Sequence, residues 1–230
     1  MNGAPVIVIS SSVSGVGKTT LTLNLAAALW SDGYQVKIFA PHNETVRNFI
    51  NQRQILREQS HTNLPMPELM QNFSIETDNS AKTVILADIP TTENVGYKDV
   101  FAKAHTLISV ATDVNDLQWE LTDSYMNLIW ETKKSVAARG IKYLNWIAVL
   151  NMASELQNPE LSELAAAAKR FGFRVAEPLH TRDAFRYIEN GYCAADMAEF
   201  RKLFKMSMSD VYARREILTL TDFLWQNNHK

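Results

Sequence analysis

Nine residues, Ser12-Val13-Ser14-Gly15-Val16-Gly17-Lys18-Thr19-Thr20, constrain this chain more than any others. They follow the apolar run Val6-Ile7-Val8-Ile9 and open a helix-forming stretch over residues 21–30. A strand, a glycine-rich turn and a helix start bring unpaired backbone N–H groups and the positive end of a helix dipole to one point, where they hold a phosphate. In such a loop Lys18 reaches the β and γ phosphates and the Thr19 hydroxyl ligates Mg²⁺. The usual pattern is G-x-x-x-x-G-K-[ST], and Ser12 stands where its first glycine belongs. Gly15 and Gly17 remain where the backbone passes close to phosphate. A chance G-K-T at a helix start is the rival reading, and the flanking strand and helix argue against it. Ser14, Gly15, Val16, Gly17, Lys18, Thr19 and Thr20 are the expected nucleotide-binding residues, with ATP and Mg²⁺ as the expected ligands.

Short apolar runs alternate with helical patterns along the chain, which is the signature of βαβ units and a parallel sheet. Strands are expected over 5–10, 35–40, 83–88, 106–112, 144–150 and 173–176, and helices over 18–31, 46–58, 98–104, 117–139 and 159–171. Beyond Arg182 the chain reads as helical to its end, with an amphipathic stretch over 211–225. Right-handed crossovers then place helices on both faces and ligands at the carboxyl ends of the strands. The expected class is α/β: a doubly wound, mostly parallel P-loop sheet with a helical C-terminal segment. With 230 residues, 46% of them hydrophobic, the expectation is a single domain.

Charge and cysteine content remove other classes. The net charge of −2 gives no global attraction to nucleic acid, so any DNA contact must come from a local patch. The lone Cys193 forms no internal disulfide, and the five histidines show no metal-ligand spacing. The first apolar segment is only strand-long and lacks a basic n-region, and no apolar run approaches the roughly 18 residues of a membrane span. A cytoplasmic protein without a membrane role is expected, and the amphipathic C-terminal stretch is read as packing on the domain.

Two further positions carry chemistry. Thr83-Val84-Ile85-Leu86-Ala87-Asp88 reads as a buried strand ending in a carboxylate, where a Walker B aspartate holds the Mg²⁺ shell through water. An aspartate that only caps a loop is the alternative. Asn151 follows the strand Ile147-Ala148-Val149-Leu150 and serves either to read the adenine edge or to form a turn.

The loop resembles the deviant Walker A motif of the ParA and MinD ATPases, K-G-G-x-G-K-[ST]-[ST]. Further segments resemble one branch of them, the MipZ division-plane positioning ATPases. These are Val46-Arg47-Asn48-Phe49-Ile50-Asn51-Gln52-Arg53, residues 84–90, Trp130-Glu131, Asn145-Trp146-Ile147-Ala148-Val149-Leu150-Asn151 and Phe171-Gly172-Phe173-Arg174-Val175, with Arg182 and Arg186 matching in kind. The resemblance covers almost the whole chain in order. It implies a cycle in which ATP drives a homodimer, the dimer binds DNA without sequence preference and antagonises FtsZ, a ParB-type partner recruits it, and hydrolysis resets it. It implies roles for Lys18 on phosphate, Thr19 and Asp88 at Mg²⁺, and Asn151 at adenine, with Lys18 and Asp88 as the catalytic pair. Arg182 and Arg186, with Lys169, Arg170 and Arg174 nearby, become the DNA candidates, against a solvated basic face. The localisation implied is bacterial cytoplasm, at the nucleoid where DNA is bound.

The chain departs from that pattern at three places. The signature lysine that crosses the dimer falls on Val13, and the glycine after it on Ser14. The aspartates after the second strand fall in Ile38-Phe39-Ala40-Pro41-His42-Asn43-Glu44, where only Glu44 is acidic. The switch glycine after the Walker B strand falls on Thr91. Three functions therefore stand side by side: a slowly cycling ATPase regulator of division-site placement or partition, a nucleotide-binding interaction protein that does not hydrolyse, and a small-molecule enzyme of the dethiobiotin synthetase kind.

Overall fold

A computed structural model describes residues 4–60, 64–75, 82–91, 96–120, 123–153, 158–196 and 206–226. Its centre is β1 (Val6–Ser10), which pairs in parallel with β4 (Thr83–Asp88) on one side and β5 (Thr106–Ala111) on the other. Outward from β4 lie β2 (Gln35–Phe39) and the short edge strand β3 (Glu68–Met70). Outward from β5 lie β6 (Asn145–Ala153) and then β7 (Arg174–Val175), with β8 (Leu179–His180) pairing further along β6. The order is β3-β2-β4-β1-β5-β6-β7, and every described pairing is parallel.

The central strands β1, β4 and β5 are buried throughout and mostly apolar because both faces are covered, as parallel sheets require. Ile7, Ile9, Val84, Leu86, Ile108 and Val110 point to a face filled by α1 (Lys18–Ser31), α2 (Glu44–Ser60) and the C-terminal helix α7 (Met208–Trp225). Val6, Val8, Ile85, Ala87, Leu107 and Trp146 point to the other, filled from α3 (Lys98–Ala102), α4 (Val114–Glu120), α5 (Asp123–Ala138) and α6 (Asn158–Phe171). Polar side chains inside this second layer pair with one another. The Tyr125 hydroxyl lies 2.5 Å from Ser10 Oγ and 3.2 Å from Ser109 Oγ, which also accepts from Trp146 Nε1 at 3.0 Å.

Several boundaries differ from expectation for local reasons. The Asn43 side chain caps α2 by accepting from Val46 N at 3.2 Å, so the helix starts two residues early. The Asp113 carboxylate accepts from Asp116 N at 2.8 Å and starts α4 before Leu117, and helix is described over 114–120 and 123–138, with residues 121–122 outside the described residues. The edge strand β3 and the two-residue β8 fall below what periodicity reveals. The stretch after Arg182 is not one helical run. It holds 3₁₀ turns at Asp183–Asn190 and Ala194–Asp196, broken at Gly191 with φ 78°, while residues 197–205 lie outside the described residues.

The amphipathic C-terminal stretch packs on the body, as expected. Ser207 and Asp210 form a reciprocal capping box that begins α7. Ala213, Ile217, Leu220 and Leu224 are buried along one face, and Trp225 stacks on Tyr34 with ring centroids 5.5 Å apart. Among the described residues, no helix is long and apolar enough to cross a membrane.

At the amino end of the sheet the His105 Nδ1 accepts from Val6 N at 3.0 Å. Burial, with the Arg139 charge nearby, pushes this imidazole down to about 4. Its folded value lies below the ordinary histidine value, so its stability contribution is complete above about pH 6.5 and is lost as pH falls from there toward 4. The thermal midpoint is expected to decline across that window. His105→Asn keeps an acceptor for Val6 N without a titrating ring, so scanning calorimetry at pH 6.5, 5.5 and 5.0 should show a shallower decline. A parallel decline in both proteins would show that other groups set it.

Candidate functional site

The strand order puts the carboxyl ends of β1, β4, β2 and β6 around one opening, and the phosphate loop crosses it. After β1 the backbone takes left-handed conformations at Gly15 (φ 78°) and Gly17 (φ 83°), and Gly17 is the N-cap of α1. Side chains other than glycine's strain in that region. Gly17 also has no room: a Cβ there would lie 2.2 Å from Asn151 Nδ2. That amide belongs to the floor of the loop, because Asn151 is buried and donates to the Val16 carbonyl at 2.8 Å. Asn151 therefore sets the loop's height above β6, and it lies within that strand, which runs on to Ala153, rather than after it.

Lys18, Thr19 and Asp88 converge as the motif predicts. Thr19 Oγ1 donates to Asp88 Oδ2 at 2.6 Å, which joins the start of α1 to the end of β4. Asp88 is almost wholly buried, and burial raises its pKa against the lowering effects of the Thr19 hydroxyl, the Lys18 charge and Asn43. Two hard oxygens this close, one a carboxylate, match the donor set Mg²⁺ selects. The glycine loop and the helix N-terminus supply the N–H groups for a polyphosphate.

The three departures from the family pattern meet at this same point. Thr91, in place of the switch glycine, accepts from Lys18 Nζ at 2.6 Å and donates to the Val13 carbonyl at 3.2 Å. Val13, in place of the signature lysine, is half-buried and packs against the core beneath the loop. Asn43, in the segment where aspartates belong, donates from Nδ2 to Thr19 Oγ1 and to Asp88 Oδ2, both at 2.9 Å. Asn43 joins the candidate site although no motif marks it, and its place after β2 is the signal in the sequence for it. Glu44 is exposed and pairs with Arg47 at 2.7 Å at the start of α2. Ser14 is exposed on the loop, and Thr20 lies in the first turn of α1.

The basic candidates do not form one free patch. Arg182 is held by Glu216 through Nε at 3.0 Å and Nη2 at 2.5 Å, and its guanidinium lies over the Tyr212 ring. His180 shares the same carboxylate. Arg174 donates to Asn145 Oδ1 and to the Phe223 carbonyl, which fixes β7 against α7. Arg186 lies on the exposed side of the 3₁₀ turn that follows, and Lys169 and Arg170 close α6 on another element.

Comparison with known proteins agrees with this geometry. The family model described as ATPase MipZ matches residues 5–226. The fold is that of the MinD septum site-determining protein from Pyrococcus horikoshii, solved with Mg-ADP: TM-score 0.59, 13% identity, 98% of each chain covered. MinD from Aquifex aeolicus follows at TM-score 0.57 and 16% identity over 96% of each chain. A plasmid partition protein from Borrelia burgdorferi bound to AMPPNP aligns at TM-score 0.52 and 11% identity, over 96% of this chain and 99% of that one. No curated protein sequence matches the chain. With a family model spanning nearly every residue over a ParA/MinD fold, this chain belongs to the MipZ ATPase family.

Proposed function

We propose that the chain, acting as one domain, is a nucleotide switch that binds Mg²⁺-ATP at the β1–α1 loop. Convergence of Lys18, Thr19 and Asp88 at the mouth of a left-handed glycine loop carries this reading. The N–H groups of Gly15 to Thr19 and the Lys18 ammonium bind the phosphates. Thr19 and Asp88 would hold the cation, which would supply charge neutralisation to the bound phosphates. Lys18 must leave the Thr91 hydroxyl to reach the γ phosphate, so part of the binding free energy is spent on that exchange. Asn151 fixes the loop from below through Val16, and its amide is proposed also to read the adenine edge.

The finer steps of the proposed cycle are a nucleotide-dependent homodimer, sequence-independent DNA binding, and ParB-type and FtsZ-type partners at the bacterial nucleoid. Glu216 already neutralises Arg182, so DNA binding there requires Arg186 and further cations, or release of that pair.

Lys18→Ala is expected to weaken binding of a fluorescent ATP analogue by about 10- to 100-fold, since a charge-assisted hydrogen bond contributes roughly 1.5 to 3 kcal/mol. Equilibrium titration by fluorescence anisotropy measures it. Equal affinity in the two proteins would remove the phosphate-binding role of the loop.

A further inference from the structure

The position of Asn43 at the candidate cation site has a geometric meaning. Its Nδ2 stands 2.9 Å from Thr19 Oγ1 and 2.9 Å from Asp88 Oδ2. Mg²⁺ keeps a near-ideal octahedron with ligands at about 2.0–2.1 Å, so neighbouring ligands on one ion lie about 3 Å apart. A water on a cation ligated by Thr19, cis to the threonine oxygen and hydrogen-bonded to Asp88, therefore falls at about the distances Nδ2 now occupies. The amide N–H groups also aim their positive ends at the oxygens a cation needs. They are the wrong ligand in the right place.

The other end of the same amide does separate work. Asn43 Oδ1 accepts from Val46 N at 3.2 Å, and the Asn43 carbonyl accepts from Arg47 N at 3.3 Å. One planar group thus joins the cation site to the first turn of α2, so it cannot turn away from Asp88 without disturbing the cap. Ten residues on from Asn43, α2 is anchored: Arg53 is bound bidentately to the buried Asp196 and to the Gly191 carbonyl. A change at Asn43 is confined to the turns between these two points.

We infer that Asn43 is a positioning residue whose amide stands in for a Mg²⁺-bound water, bracing Thr19 and Asp88 before the cation arrives and uncapping the first turn of α2 when Mg²⁺-nucleotide displaces it. The inference rests on the nucleotide-binding reading above. It assigns the loosening of this first turn to cation arrival, with a neutral amide bracing the site until then.

Hydrogen exchange followed by mass spectrometry tests it on the full chain with ADP alone and with Mg²⁺-ADP. In the wild-type protein, Mg²⁺-ADP is expected to speed exchange at Val46 and Arg47 several-fold while protecting Gly15 to Thr20. Asn43→Ser keeps an N-cap oxygen and loses the long amide donor. In that variant the first turn should exchange at the same rate in both conditions. Mg²⁺ titration of the ADP-loaded proteins by calorimetry should give at least threefold tighter cation binding for Asn43→Ser, because no brace has to be displaced. Unchanged exchange at Val46 and Arg47 in the wild type with Gly15 to Thr20 protected would overturn the inference alone, as would equal or weaker Mg²⁺ affinity in the variant. Absence of protection at Gly15 to Thr20 would overturn the nucleotide-binding reading and the inference with it.

Discussion

Arg53→Met is expected to destabilise the fold by about 3 to 5 kcal/mol, the cost of leaving one member of a buried ion pair without its partner. Arg53 and Asp196 are both buried, and the guanidinium meets the carboxylate at 2.6 and 2.7 Å. The same guanidinium donates to the carbonyls of Pro65 and Gly191 and lies 5.3 Å from the centre of the Phe49 ring. Without it, Asp196 retains only Cys193 N among these donors, and two carbonyls lose theirs. For a chain of this size each kcal/mol moves the thermal midpoint by roughly 2 to 4 °C, so a fall of about 6 to 20 °C is expected in scanning calorimetry. The double variant Arg53→Met with Asp196→Leu should recover much of it, since a well-packed apolar pair often matches a buried ion pair. A single variant melting within about 2 °C of the wild type would show that this pair does not hold α2 to the 191–196 segment.

That network marks where the sequence stops being legible. Arg53 lies in a polar helix whose composition suggests a solvated arginine, and its partner is 143 residues away in a stretch that reads as continuous helix. Gly191, with its left-handed φ and a Cβ position 2.7 Å from Arg53 N, breaks that run so that α2 can pass against it. Nothing in periodicity announces such a contact. The phosphate loop was legible for the opposite reason: Lys18, Thr19, Gly15 and Gly17 act through spacing along the chain, and the preceding apolar strand fixes where the loop points. Asp88 was legible because it follows the four apolar residues Val84 to Ala87 in a six-residue strand, which pairs with β1 so that Ile9 lies opposite it. Asn43 fell between these cases. Its position after β2 is marked by the family pattern, but its residue type is not, because the pattern there is acidic and Asn43 is an amide that donates to a carboxylate. Arg182 was singled out for its charge, and Glu216, 34 residues later, decides how much of that charge is available.

Steady-state ATP hydrolysis is expected to run about 10² to 10⁵ slower than in a relative with the full motif, the usual cost of losing a transition-state cation or donor at phosphoryl transfer. The structure gives each loss a local form. Val13 carries no charge to a partner's phosphate and is turned toward the core. Thr91 has a side chain where a glycine could swing its N–H toward the γ phosphate, and its hydroxyl engages both Lys18 and the Val13 carbonyl. Asn43 occupies the segment after β2 as a donor to Asp88, and an amide cannot take a proton from attacking water. Glu44 points to Arg47. Val13→Lys alone should remain slow, because Thr91 still holds Lys18 and the 13-position still packs under the loop. Adding Thr91→Gly frees the Lys18 ammonium and restores backbone freedom, so the double variant should release phosphate at least tenfold faster than either single one. Phosphate release measured beside a motif-complete MinD, at equal protein and Mg²⁺-ATP concentrations, decides it. A wild-type rate equal to that of the relative would mean another group replaces these three, and Glu44→Gln would be the variant to identify it.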